Sequence, residues 1–416
     1  MTTLRDLLLD SRDGEWGKEK PFEQSVHMQA IRGTDFEDVR VGNTSSVPAR
    51  YLADRHATRK KLQKWDIVFE TAGGSKDRPT GRSVFLTPSR MAHFELPVTC
   101  ASFARFLRID PEKADPEFVF WLLQDMYERR ELLRFHTQHT GVARFQFTTF
   151  ADTWPLNLPP RPVQRRIADL LSAYDDLVEN NTRRIAILED MARRLFEQWF
   201  GQHCIPPVAD HRAELPDGWS AATLSDWVID LRDAVDPNSL DPATTYVGLE
   251  HLPRRSTTLR DWGTASDVGS TKLKYRPGDI LFGKIRPYFH KVAVMPAEGV
   301  CSSDAIVMRP KTVEHLPMAI GLTSSDAFVA HATQTSNGTK MPRADWKVLK
   351  EYPLPIPDSD TLNKYNAVAQ PWLESSAALA ASNTNLRTTR DLLLPKLISG
   401  EIEVRTAEEE LETAAA

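Results

Sequence analysis

Long apolar runs are missing from these 416 residues. No stretch approaches the roughly 20 consecutive apolar residues that a membrane span needs, so no membrane partner is expected. Cysteine is scarce. Cys100, Cys204 and Cys301 are isolated, odd in number and form no CxxC pair, which argues against a disulfide framework and a zinc site. The opening Met1-Thr2-Thr3-Leu4-Arg5-Asp6 has no signal-peptide core, so a cytoplasmic location with buried thiols is expected. Catalytic signatures are also lacking. No GxxxxGK[ST] loop is present, which leaves ATP-driven work to another chain. No HExxH occurs, and His136-Thr137-Gln138-His139 has the wrong spacing for two metal ligands on one helical face. An adenine methyltransferase should show Asn or Asp directly before Pro-Pro and an aromatic residue. In Asn157-Leu158-Pro159-Pro160-Arg161 a leucine intervenes and arginine replaces the aromatic. Acidic residues beside lysines, Asp77 by Lys76 and Glu351 by Lys350, form no nuclease constellation. No catalytic residue and no metal site is expected.

Strong net charge is missing too. The total is −5, but it is unevenly distributed. Residues 1–158 carry 23 Lys+Arg against 22 Asp+Glu, and residues 206–357 carry 17 against 18. The deficit lies in residues 358–416, with 5 against 10, and much of it in Glu408-Glu409-Glu410-Leu411-Glu412. That end reads as a solvated acidic tail, disordered over 405–416. A phosphate-binding surface on either globular part would have to be a local patch.

What is present is a duplication. Leu158-Pro159-Pro160-Arg161-Pro162 leads into a helical stretch, and Pro353-Leu354-Pro355-Ile356-Pro357 leads into another. In the first stretch Ile167, Tyr174, Asn181, Leu188 and Leu195 recur every seven residues. Leu171, Val178, Ile185, Ala192 and Trp199 run beside them. This is the narrow seam of a coiled coil, and Pro162 suits a first helical turn. The second stretch has Tyr365, Trp372, Leu379, Leu386 and Leu393, with Asp360 or Thr361 to cap it and Gly400 to stop it. Pro371 is expected to kink or restart this helix and Pro395 to bend or end it. Helices of about 35–40 residues span about 50–60 Å, and neither can bury its seam alone. Antiparallel pairing through Leu171, Tyr174, Asn181, Leu188, Leu379, Asn383 and Leu386 is expected, with the two asparagines setting register.

The globular parts repeat as well. Gln63-Lys64-Trp65-Asp66-Ile67-Val68-Phe69 and Arg276-Pro277-Gly278-Asp279-Ile280-Leu281-Phe282 share a turn, an aspartate and a buried strand. Each precedes a glycine- and basic-rich loop, Gly73 to Arg82 in one and Gly283 to Lys291 in the other. Gly141-Val142-Ala143-Arg144-Phe145 and Gly338-Thr339-Lys340-Met341-Pro342-Arg343 follow later. Glycine allows close backbone approach, Arg and Lys pair phosphates or guanine edges, and His or Tyr can reach bases. The candidate DNA contacts are Lys76, Arg78, Arg82 and Arg144 in the first head. In the second they are Lys284, Arg286, Tyr288, His290, Lys291 and Lys340.

Several of these segments resemble the specificity subunits of type I restriction–modification systems. They are Leu158-Pro159-Pro160 with Gln164-Arg165-Arg166-Ile167-Ala168, and Asn180-Asn181 before Arg183-Arg184-Ile185. Further along come Glu214-Leu215-Pro216-Asp217-Gly218-Trp219, Pro277-Gly278-Asp279-Ile280-Leu281, and Leu393-Leu394-Pro395-Lys396-Leu397-Ile398-Ser399-Gly400-Glu401-Ile402. The resemblance covers nearly all of residues 1–404. It implies a mixed α/β (α+β) fold, with two pseudo-repeat target-recognition domains separated by two long antiparallel coiled-coil helices. The expected boundaries are 1–158, 159–205 (central helix), 206–357 and 358–404 (C-terminal helix). The resemblance further implies that each domain reads one half of a bipartite double-stranded DNA target. The helices would dock two modification subunits, which bind S-adenosylmethionine and methylate adenine, and restriction subunits would join them. The chain itself would hold no cofactor. One departure stands out: the second helix opens with Leu362-Asn363-Lys364-Tyr365 where the first has Gln164-Arg165-Arg166-Ile167. The alternatives are a stand-alone DNA methyltransferase or nuclease, and a coiled-coil adaptor without DNA contact. The adaptor leaves the repeated loops unexplained.

Overall fold

The computed structural model describes residues 2–74, 78–138, 142–204, 214–338 and 340–404. Lys76 and the acidic end at 405–416 therefore lie outside the described residues. The chain divides into two compact units, Met1–Asn180 with Asn385–Ala416, and Asn181–Thr384. Each unit contains one head and part of both long helices.

In the first unit a four-stranded antiparallel sheet runs in the order Leu8–Asp13, Ala104–Ile109, Ile67–Glu70, Ser83–Phe85. A strand sends successive side chains to opposite faces, and here both faces are covered. Ile67 and Phe69 enter a large aromatic core with Phe118, Trp121, Phe145 and Phe150, while Val68 joins Ile31, Phe36 and Phe106 on the other side. The helix Pro116–Glu128, capped by Asp115, closes the aromatic side. On the other side lies a three-stranded sheet in which Ser25–Ile31 pairs Ala49–Ala53 antiparallel and Val98–Cys100 parallel.

The second unit repeats this plan. Its antiparallel sheet runs Val228–Leu231, Ala305–Pro310, Ile280–Gly283, Val292–Val294. Ile280 and Phe282 face one core while Leu281 faces another. Thr245–Val247 lies parallel to Gly299–Ser302, as Ser25–Ile31 does to Val98–Cys100. Two further pieces of the duplication escaped sequence reading. Thr3-Leu4-Arg5-Asp6 and Thr223-Leu224-Ser225-Asp226 both form capping boxes at the start of a head. The repeated aspartates each accept two bonds from an arginine on the neighbouring strand. Asp66 takes them from Arg108 at 2.8 and 2.8 Å, and Asp279 from Arg309 at 2.7 and 2.7 Å. Each also caps its own turn, through the Gln63 and Arg276 N–H groups. Cys100, Cys204 and Cys301 are buried free thiols, all pushed up to about 12 by that burial.

The long helices are Arg161–Phe200, 40 residues, and Ser359–Ser399, 41 residues. In the first unit Ile167 and Leu171 share a core with Leu394 and Leu397. In the second, the Phe200 ring packs edge-on at 4.9 Å from Tyr365, and Asn181 Nδ2 donates to Asn383 Oδ1 at 3.0 Å. Within each unit the two helices therefore run antiparallel. Leu171 and Asn181 are buried, while Tyr174 and Leu188 are half-buried. The second helix differs from the expected seam: its buried line includes Ala369, Ser376, Asn383, Arg390 and Leu397, with Leu379 and Leu386 half-buried beside it. Three of those five are polar, so apolar periodicity picks out the flank instead. Pro371, expected to kink or restart the helix, does not interrupt it. Both it and Ala367, whose carbonyl loses its helical donor, are exposed, so water can satisfy the freed group. Pro395 also lies within the unbroken helix.

Candidate nucleic-acid interface

In the first head, strand Ile67–Glu70 continues into Ala72–Gly73, which pairs with Ala143–Phe145. That strand pairs in turn with His136–Thr137. The two glycine/basic loops of this head are thus brought together in one three-stranded ribbon. Arg144 lies opposite Ala72 and is exposed. Arg78 is exposed at the loop and stands 3.5 Å from Glu37. Arg82 is used differently. Its Nε donates to Glu70 at 3.0 Å, Glu70 is buried and Arg82 half-buried, and the guanidinium lies over the Phe36 ring. Arg82 therefore braces the base of the loop with the Nε and Nη2 edge of its guanidinium.

The second head builds the corresponding ribbon from Ile285 and Arg343, which form a bridge. Backbone bonds fix the equivalence. Phe145 N–H donates to the Thr71 carbonyl at 2.8 Å, and Ala344 N–H to that of Lys284 at 3.0 Å. Arg144 and Arg343 thus occupy the same place. Lys340, the candidate from the sequence, is exposed, and so is Arg343, which is not among the candidates. The available signal was the buried residue that follows each arginine, Phe145 or Ala344.

The other second-head candidates are dispersed in role. Tyr288 is exposed. Arg286 is half-buried in left-handed backbone at φ 51°, where the first head has Gly73. A non-glycine residue held there marks a strained loop. Lys284 donates to the Ser303 carbonyl at 2.9 Å, and burial pushes its ammonium pKa down. Lys291 bonds the Leu249 carbonyl and is lowered for the same reason. His290 is buried, its Nε2 lies 2.7 Å from the Ser324 carbonyl, and burial lowers its pKa. These last two pin the loop from beneath.

Each head is fastened to the central helix by a carboxylate of that helix. Asp175 lies among Arg40, Arg90 and Arg390. Burial alone would raise its pKa, but the three guanidiniums outweigh that and hold it well below the usual carboxylate range. In the second unit Glu189 Oε1 accepts the Thr257 and Thr258 N–H groups, both at 2.9 Å, and the Ser256 hydroxyl at 2.8 Å. The helix entrances differ as well. Gln164 joins the Asp115 N–H, at 2.9 Å, to the Pro159 carbonyl. The second entrance, which lacks that glutamine, uses Tyr365 on the Pro317 carbonyl at 3.2 Å and Asn366 on that of Glu314 at 2.9 Å.

This duplicated plan has counterparts among known proteins. No family model matches the chain. It is 23% identical to the type I restriction enzyme EcoDI specificity subunit of Escherichia coli, over 62% of this chain and 62% of that protein. It is 24% identical to the MjaIX specificity subunit of Methanocaldococcus jannaschii, over 59% of this chain and 60% of that protein. The chain is thus similar in sequence to type I specificity subunits. The matches span about three fifths of the length of those two specificity subunits. The fold likeness extends further: the crystal structure of the type I S subunit from M. genitalium covers 95% of both chains at a TM-score of 0.51, with 15% identity. No helix among the described residues is long and apolar enough to cross a membrane.

Proposed function

We propose that this chain is the sequence-reading subunit of a type I modification or restriction complex. Each head contacts one half of a bipartite double-stranded DNA target, and the paired helices set the spacing. The observation that carries this reading is the equivalent ribbon in both heads. The same backbone bonds present Arg144 in one and Arg343 in the other, beside loops that differ in sequence. One scaffold with two sets of exposed side chains suits two different half-sites. The likeness to specificity subunits supports the same reading. In this reading the helices dock two modification subunits, S-adenosylmethionine binds to those subunits, and restriction subunits complete the assembly in the cytoplasm. This chain supplies no catalytic group.

The test is to map methylated adenines in cells carrying the modification subunits with and without this chain. A bipartite motif that depends on the chain is expected. Matched four-residue insertions in both helices, beside Asn181 and Asn383, add about 6 Å at 1.5 Å per residue. At 3.4 Å per base pair the unread spacer should lengthen by about two base pairs, with both half-sites unchanged. An unchanged spacer would refute the ruler. Methyl transfer by the purified chain with S-adenosylmethionine alone would favour a stand-alone methyltransferase.

A further inference from the structure

We propose that residues 103 with 144 and residues 304 with 343 form one specificity position in each head, answered by opposite chemistry. In the second head a carboxylate-buttressed arginine reads guanine. In the first an exposed phenylalanine makes an apolar contact with a thymine methyl beside Arg144. The inference rests on the DNA reading above and specifies how each head would discriminate.

The positions are equivalent by backbone, not by sequence. The Phe103 carbonyl accepts Thr71 N–H at 2.9 Å, and the Asp304 carbonyl accepts Lys284 N–H at 2.8 Å. The next residues, Ala104 and Ala305, pair with Glu70 and Gly283. Two residues beyond those, Ala72 and Ile285 face Arg144 and Arg343. Each head thus sets residue 103 or 304 beside the strand that carries 72 or 285, with the arginine on that strand's other side. Two strand spacings of about 4.8 Å each separate the members of each pair by about 10 Å, a gap that two long side chains can bridge.

The side chains then diverge. Asp304 stands 3.6 Å from the Arg343 guanidinium, and Arg343 remains 55% exposed. A guanidinium has five donors in a rigid fork. With one nitrogen near Asp304, the others remain to pair O6 and N7 of guanine. The carboxylate also restrains the planar group before DNA arrives, which reduces the rotamer entropy lost on binding. It nearly cancels the charge, so the pair is poorly suited to a phosphate contact and better suited to a base edge. At the matching place Phe103 is 53% exposed on a turn closed by Ala104 N–H on the Ala101 carbonyl at 2.9 Å. Its carbonyl also accepts Ala72 N–H at 3.1 Å, so the ring stands on fixed backbone. Apolar side chains distinguish thymine by its methyl group.

The experiment uses the complete modification complex and sequences the methylated sites made with wild-type chain, Arg343→Ala, Arg343→Lys, Asp304→Ala and Phe103→Ala. All these side chains are at the surface, and assembly yield checks folding. Arg343→Ala and Arg343→Lys should each lose about tenfold or more in preference for one G·C pair of one half-site. Asp304→Ala should weaken preference at that same pair, and the other half-site should not change. Phe103→Ala should relax one A·T position in the other half-site only. Full retention of the motif by Arg343→Lys, or an even loss of methylation at all sites in Arg343→Ala, would mean a phosphate contact and overturn the proposal. A wild-type bipartite motif that survives all four substitutions overturns this inference alone. Absence of any bipartite motif with the wild-type chain overturns the DNA reading, and this inference with it.

Discussion

In the first unit the central helix offers Asp175 to three arginines, whereas in the second it offers Glu189 to the uncharged Ser256, Thr257 and Thr258. Both carboxylates hold a head to the same helix. One does so with buried charges that need each other, the other with neutral donors that water could also satisfy. The difference teaches that a duplicated scaffold does not imply duplicated energetics. Removing one member of a buried charge cluster costs far more than the net worth of the cluster, because the remaining charges stay desolvated.

The largest expected effect follows directly. Asp175→Ala leaves Arg40, Arg90 and Arg390 facing one another around a vacated carboxylate. It should destabilise the first unit by about 3–5 kcal/mol. Glu189→Ala should cost the second unit about 1–3 kcal/mol, the range for losing one side of a set of hydrogen bonds. Hydrogen exchange resolved by segment checks both, and equal losses in the two units would end the comparison.

Acid titration sharpens it. The folded-state pKa of Asp175 is depressed, so its contribution is present above the ordinary value of 3.8 and is lost as pH falls through the folded-state value. Glu117, also in the first unit, behaves oppositely. Burial pushes it up from 4.5 to about 7, although the Ser172 hydroxyl donates to it. The folded state binds its proton more tightly than the unfolded state, so stability declines as pH rises from 4.5 to about 7. Glu117→Gln should flatten that decline in the first unit and leave the second unit's pH profile unchanged. An unchanged slope would mean that Glu117 is hydrated in solution.

The sequence made much of this plan legible. Asp66 and Asp279 mark corresponding strands because a turn aspartate before a run such as Ile67-Val68-Phe69 or Ile280-Leu281-Phe282 leaves few alternatives. Proline exits and heptads placed both long helices, and Asn181 and Asn383 were recognised as seam residues. What stayed hidden depends on partners remote in sequence. Arg82 looks like Arg78 in the chain, but only the fold places Glu70 against it. His290 and Lys291 look like free cations until the Ser324 and Leu249 carbonyls meet them. Arg343 was missed because its importance comes from equivalence with Arg144 through backbone bonds, across loops of unequal length. The rest of the second seam is not legible because Ser376 and Arg390 carry no apolar signal.

That polar seam gives the smallest and most discriminating prediction. Asn181 Nδ2 donates to Asn383 Oδ1, and Asn383 Nδ2 donates to Thr182 Oγ1 at 3.2 Å, all three residues being buried. Asn383→Ala strands the Asn181 amide, and it should cost about 1–3 kcal/mol in the second unit. Replacing Asn181 and Asn383 together by Leu removes both amides and strands neither, so stability should return to the wild-type level or above it. Register should suffer instead, because a buried asparagine pair tolerates few alignments while leucines tolerate many. In the assembled complex the double variant should then methylate sites with a mixture of spacer lengths, with half-sites unchanged. A single sharp spacer would show that the heads alone fix the register, through Asp175 and Glu189, and that the asparagines contribute only ordinary hydrogen bonds.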